Sequence, residues 1–96
     1  DIDGLVALPG GCGTLEELLE AITLKRLGQF TKPIVILNTD NYYKPLKDML
    51  NQSIEEKFMD IKHLDMWRFV EEPEQVIDAL KYSPSWHSGA IKFANK

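Results

Sequence analysis

Ile2-Asp3-Gly4-Leu5-Val6-Ala7-Leu8 runs straight into Pro9-Gly10-Gly11-Cys12-Gly13-Thr14-Leu15-Glu16-Glu17, and the reading of the whole chain starts from this stretch. Residues 2–8 read as a short buried strand that Pro9 and the glycines end. Thr14 then opens a helix that runs to about Leu27. Its apolar positions Leu15, Leu18, Leu19 and Ile22 form one stripe at helical spacing. Ala21, Leu24 and Leu27 form a second stripe. A helix apolar on two sides has two partners: the sheet, and either a second subunit or another part of the same chain. Gly28 suits the helix end.

Further along, Ile34-Val35-Ile36-Leu37 is a continuous apolar run rich in β-branched residues, the pattern of a strand buried on both faces of a parallel sheet. Asn38-Thr39-Asp40-Asn41 is a turn cluster. Residues 43–58 read as a helix with Leu46, Met49, Leu50, Ile54 and Phe58 on its buried side. A short helix is expected from His63 to Met66, then a strand at Trp67-Arg68-Phe69-Val70. Glu71-Glu72-Pro73-Glu74 starts a last helix through Val76, Ile77 and Leu80, with proline and acidic residues where a first turn accepts them. Residues 82–96 show no period and read as an irregular tail, from which Trp86 and Phe93 could tuck onto a neighbour. Alternating strands and helices imply right-handed crossovers and a parallel sheet with helices on its faces, an α/β fold. Three strands make a thin sheet. The expectation is therefore an incomplete, C-terminal part of a single domain that folds poorly in isolation.

The 96 residues allow one small domain, and their 44% apolar and 27% charged composition is that of a soluble globular protein. A net charge of −4 with scattered lysines argues against a nucleic-acid partner, which would require a basic stripe. No apolar run approaches the roughly 20 residues of a membrane span. The single cysteine, Cys12, forbids an internal disulfide and fits a reducing, cytoplasmic setting.

The Gly-rich loop lies between a strand's carboxyl end and a helix N-terminus, where open parallel sheets bind ligands. Glycines let a ligand approach the backbone closely, and free N–H groups with the helix dipole favour an anion. The same glycines would equally serve a tight turn, and composition alone leaves both readings open. The spacing is neither a Walker A motif nor the dinucleotide fingerprint. Glu17 also has two readings. Thr14-Leu15-Glu16-Glu17 spells a capping box, in which Glu17 reaches back to the Thr14 N–H, and spacing alone favours that role. Yet Glu17 sits one turn from the anion position, on the stripe of Ala21 and Leu24, where an apolar setting suits a carboxylate to acid–base work.

Pro9-Gly10-Gly11-Cys12-Gly13-Thr14-Leu15-Glu16-Glu17 resembles the PGGxGTxxE signature of the LOG family, cytokinin riboside 5′-monophosphate phosphoribohydrolases often labelled lysine decarboxylases. The resemblance continues through residues 17–23, through Lys32-Pro33-Ile34-Val35-Ile36-Leu37-Asn38, and through Tyr42-Tyr43-Lys44-Pro45-Leu46. It implies a Rossmann-like three-layer sandwich, a homodimer or higher homo-oligomer, and a site near the subunit interface. It implies hydrolysis of the N-glycosidic bond of a purine nucleoside 5′-monophosphate, AMP or an N6-modified relative, to free base and ribose 5-phosphate. No cofactor and no metal enter this scheme. On this resemblance Gly10, Gly11, Cys12, Gly13 and Thr14 would hold the phosphoribosyl group and Glu17 would be the catalytic carboxylate. The family also carries an upstream arginine in a motif like M-H-x-R-K and an upstream Gly-rich segment. Neither is in this chain, and Arg26 and Arg68 do not match. The chain alone is therefore expected to lack half its site and to be inactive.

The other candidates have plainer readings. Cys12 sits at the variable position of the signature and is incidental, since hydrolysis needs no thiol. His63 and His87 have no metal-ligand spacing and read as surface or interface residues. Trp67 and Trp86 read as packing groups. Thr23 falls off the face of Glu17. A second hypothesis is a binding module of the same superfamily that holds a nucleotide without cleaving it, with Glu17 as a cap. A third, a lysine decarboxylase, would need a pyridoxal phosphate lysine in a much larger fold.

Overall fold

The computed structural model of the chain describes residues 4–93. The first two positions of the expected strand and the side chain of Phe93 lie outside the described residues. Three strands, β1 (Leu5–Ala7), β2 (Ile34–Leu37) and β3 (Trp67–Val70), form one parallel sheet in the order β1-β2-β3. Leu5 lies opposite Ile34, and Ile34 opposite Trp67. β2 is the central strand, and all four of its side chains are buried, as its apolar run predicts. Strand periodicity sends Ile34 and Ile36 to one face and Val35 and Leu37 to the other.

Helices α1 (Cys12–Arg26) and α2 (Lys44–Glu55) cover the first face, where Leu18, Ile22, Leu50 and Ile54 pack on Ile34 and Ile36. Helix α3 (Val76–Lys81) covers the second, with Ala79, Val76 and Leu80 against Val35, Leu37 and Val70. Successive crossovers of one hand place α1 and α2 on the same side. The result is the expected α/β three-layer arrangement, with each buried β2 side chain contributing about 1.5–3 kcal/mol.

Several elements differ from the sequence expectation. Helix α1 begins at Cys12 rather than at Thr14. Its end follows the expectation: Gly28 takes φ 80°, its N–H bonds to Lys25 O, and the Gln29 N–H bonds to Leu24 O. This is a Schellman motif. Leu19, placed on the buried stripe, is exposed. Helix α2 ends at Glu55 through the same motif, with Lys57 in the left-handed position at φ 65° and the Phe58 N–H on Ser53 O. Without a glycine, that stop leaves no mark in the sequence. Phe58 is thrown outward and is 73% exposed, and Met49 is also exposed. The last helix is split into a 3-10 turn, Pro73–Gln75, and α3, with Ile77 outside.

The tail is not irregular throughout. Ser88–Phe93 forms 3-10 turns, Ala90 is buried, and Trp86 packs on the main core of its own chain. His63, read as a surface or interface residue, is fully buried within its own chain in the 3-10 segment Ile61–Met66, where its Nδ1 accepts from the Asp60 N–H. Burial pushes its pKa below the usual histidine range, with Asp60 opposing and Arg26 adding to the shift. Among the described residues no helix is long and apolar enough to cross a membrane.

Candidate active site

The loop from Leu8 to Gly11 sits at the carboxyl end of β1 and feeds α1. Gly11 is the N-cap at φ −103° and ψ −147°, and no side chain caps the helix. The first backbone bond that closes the helix runs from Leu15 N to Gly11 O, at 3.0 Å. The N–H groups of Cys12, Gly13 and Thr14 therefore have no partner within the helix. The first turn holds no acidic residue, so the positive end of the helix dipole is not offset there.

This geometry overturns the capping box. With Cys12 as the first helical residue, Thr14 is the third and Glu17 the sixth, too deep in the helix to reach its end. The pattern misleads because the flexible glycines let the helix start earlier than the threonine. Thr14 packs instead against Gly10, where a Cβ would run into the Thr14 hydroxyl. Gly11 and Gly13 have open space at that position. Cys12 is exposed.

Glu17 is exposed and lines two adjoining clefts along the outer edge of β1. One, of about 220 Å³, is walled by residues 5–8 with Thr14 and Leu18. The other, of about 350 Å³, is walled by Gly4, Leu5, Glu20, Ala21, Leu24 and Phe30. The face shared by Glu17, Ala21 and Leu24 is the one the sequence predicts. Thr23 lies off it and donates its hydroxyl proton to Leu19 O. Thr14 and Glu17 thus flank one opening, a turn apart, beside the free N–H groups. A larger concavity of about 480 Å³ lies between β3 and α3, around Arg68, Glu71, Glu74 and Asp78, and includes none of these residues.

The loop is held from the far side by the segment after β2. Tyr42 donates its phenol proton to Gly10 O, and Tyr43 donates to Leu8 O at 2.5 Å. Tyr43 is buried, and its N–H donates to the buried Asn38 Oδ1 at 2.6 Å. Burial, with Tyr42 adding, raises the Tyr43 phenol above its ordinary value and keeps it a donor at neutral pH. Sequence reasoning assigned these tyrosines no role. The left-handed Asp40 and Asn41, at φ 53° and 61°, turn the chain so that both rings face the loop. The Asn-rich turn cluster was the only signal of it.

Among the described residues no three His, Cys, Asp or Glu side chains gather as metal ligands would.

The family described as possible lysine decarboxylase matches residues 1–80. The chain is 42% identical over 83 residues to the probable cytokinin riboside 5′-monophosphate phosphoribohydrolase LOGL2 of Oryza sativa subsp. japonica, covering 85% of this chain and 34% of that protein. It is 40% identical over 91 residues to the cytokinin riboside 5′-monophosphate phosphoribohydrolase LOG4 of Arabidopsis thaliana, covering 94% and 42%. It is 53% identical over 57 residues to the probable phosphoribohydrolase LOGL3 of Oryza sativa subsp. japonica, covering 59% and 27%. The chain therefore spans between about a quarter and two fifths of the length of these relatives. The match over residues 1–80, carried on a parallel α/β sandwich with the PGGxGTxxE segment at its first strand-to-helix turn, makes this chain a member of the LOG family.

Proposed function

We propose that this chain supplies the phosphate-binding loop and the carboxylate of a hydrolase that cleaves purine nucleoside 5′-monophosphates. The substrate is AMP or an N6-modified cytokinin nucleotide, and the products are the free base and ribose 5-phosphate. One observation carries this reading: an uncapped helix start shares its opening with a carboxylate, Glu17, that has no capping duty. The names of the relatives, which specify a cytokinin riboside 5′-monophosphate, agree with it.

In this reading the N–H groups of Gly11, Cys12, Gly13 and Thr14 hold the phosphate, Gly11 and Gly13 leave open space for its approach, and Gly10 makes room for the Thr14 hydroxyl beside it. The phosphate gives binding energy remote from the scissile bond, which positions the sugar. Water attacks C1′ as the C1′–N9 bond breaks, and the base leaves with the electron pair and takes up a proton. Positive charge builds on the ribose. The Glu17 carboxylate stabilises it or accepts the proton of the attacking water. The apolar wall of Ala21 and Leu24 beside Glu17 supports a homodimer, in which a second copy closes this side of the site. The enzyme is nucleotide-binding and cytoplasmic, with no nucleic-acid or membrane partner.

The family description as lysine decarboxylase finds no support in the described lysines. The one buried lysine among them, Lys25, donates to two backbone carbonyls, about 20 Å along α1 from the loop. The test is adenine release from AMP by the full-length protein and its Glu17→Gln variant. Release lost in the variant with AMP still bound is the expected result. AMP binding without release by the unmodified protein would leave a nucleotide-binding module instead.

A further inference from the structure

We infer that the Tyr42 hydroxyl is a positioning group that locks the Gly10–Gly11 peptide in the orientation that aims the Gly11 N–H at the substrate phosphate. The inference rests on the phosphate-binding reading of the loop and names what holds that loop in its binding form.

In a planar trans peptide the carbonyl of one residue and the N–H of the next point in opposite directions. Tyr42 holds Gly10 O, so the Gly11 N–H points away from Tyr42. Tyr42 stands with Leu15 and Pro45 around a separate cleft, whereas Thr14 and Glu17 line the opening along β1. Leu15 and Glu17 are about 200° apart around the helix at 100° per residue. The carbonyl is thus drawn to one side of α1 and the N–H turned from it. This peptide joins two glycines, whose permissive backbone makes a peptide flip easier than elsewhere. A flip would bring a carbonyl oxygen to the phosphate in place of a donor. Carbonyl Leu8 O is also held, by Tyr43, but its peptide leads into Pro9, which has no N–H to aim. Two neighbouring tyrosines therefore have different duties. Tyr43, 2% exposed, secures the strand end, while Tyr42, 52% exposed, sets a donor. Their rings meet edge to face at 5.0 Å, which fixes the Tyr42 ring without burying it.

The test measures the dissociation constants of AMP and adenosine in the full-length protein, in Tyr42→Phe and in Tyr43→Phe, with the melting temperature of each. The ratio of the adenosine constant to the AMP constant isolates what the phosphate contributes. Tyr42→Phe is expected to lower that ratio about fivefold, the worth of one neutral hydrogen bond. It should raise KM for AMP with kcat little changed and melt with the unmodified protein. Tyr43→Phe is expected to lower the melting temperature and keep the ratio. A Tyr42→Phe variant that keeps the ratio overturns the lock, as does an equal loss in both variants. An unmodified protein that does not prefer AMP to adenosine overturns the phosphate-binding reading and the lock together, so the two failures are told apart.

Discussion

At its N-terminal end helix α1 follows a glycine N-cap, with no side-chain cap, free N–H groups and an exposed carboxylate on its second turn. At its other end Lys25 is 1% exposed, and its Nζ donates at 2.8 Å to both Lys32 O and Met66 O. The Nζ lies 6.0 Å from the centre of the Trp86 ring, and the Trp86 indole donates to Lys25 O at 2.6 Å. The Lys25 charge favours a helix C-terminus and is spent on the carbonyls that lead into β2 and β3. Free, exposed donors at one end, against a buried and fully hydrogen-bonded side chain at the other, separate the region proposed to bind from one that holds the fold. Binding requires groups whose partner is still to come, and stability requires groups already paired.

Substitutions at the two ends of α1 have different expected readouts. The largest effect is expected at the open end: Glu17→Gln lowers adenine release by the full-length protein at least about 100-fold, while its thermal midpoint stays unchanged. A fall in the midpoint to match would place Glu17 among the stabilising groups. At the closed end the signs reverse. Lys25→Ala leaves a buried and a part-buried carbonyl and a cavity, and should cost about 3 kcal/mol in denaturant unfolding; a loss under about 1 kcal/mol would mean that water replaces the amine.

The same lysine gives a pH signature. Burial lowers its pKa from 10.5 to about 8, so the folded state binds this proton less readily than the unfolded state. Its contribution to stability is therefore flat below pH 8, rises between 8 and 10.5, and is fully present above 10.5. The unfolding free energy of the unmodified protein minus that of Lys25→Met should rise by up to about 3 kcal/mol across that window. A difference that stays flat would show that the carbonyl partners cancel the burial. The smallest effect is expected at Gly28→Ala. There a Cβ would run into the Ser88 carbonyl at positive φ, at a cost of about 2 kcal/mol. An unchanged midpoint would show that the tail yields, and that the closed end is held by Lys25 and Trp86 alone.

Much of this protein was legible because the signals are local. An apolar β-branched run makes β2, Gly28 stops α1, and the stripe of Glu17, Ala21 and Leu24 faces one cleft as its spacing requires. The signature segment carries the family, since its motif is built from consecutive residues. Tertiary structure decided what depends on partners distant in the chain. Lys25 is buried because carbonyls 7 and 41 residues away accept its protons, and no composition rule puts a lysine in a core. The start of α1 moved to Cys12 because glycines permit many starts, leaving the surrounding fold to choose one. The phenols that hold the loop come from 32 and 35 residues downstream, through a turn bent by Asp40 and Asn41. Sequence periodicity reports which face a residue takes on its own element. Which group waits across the gap is set only when the elements pack.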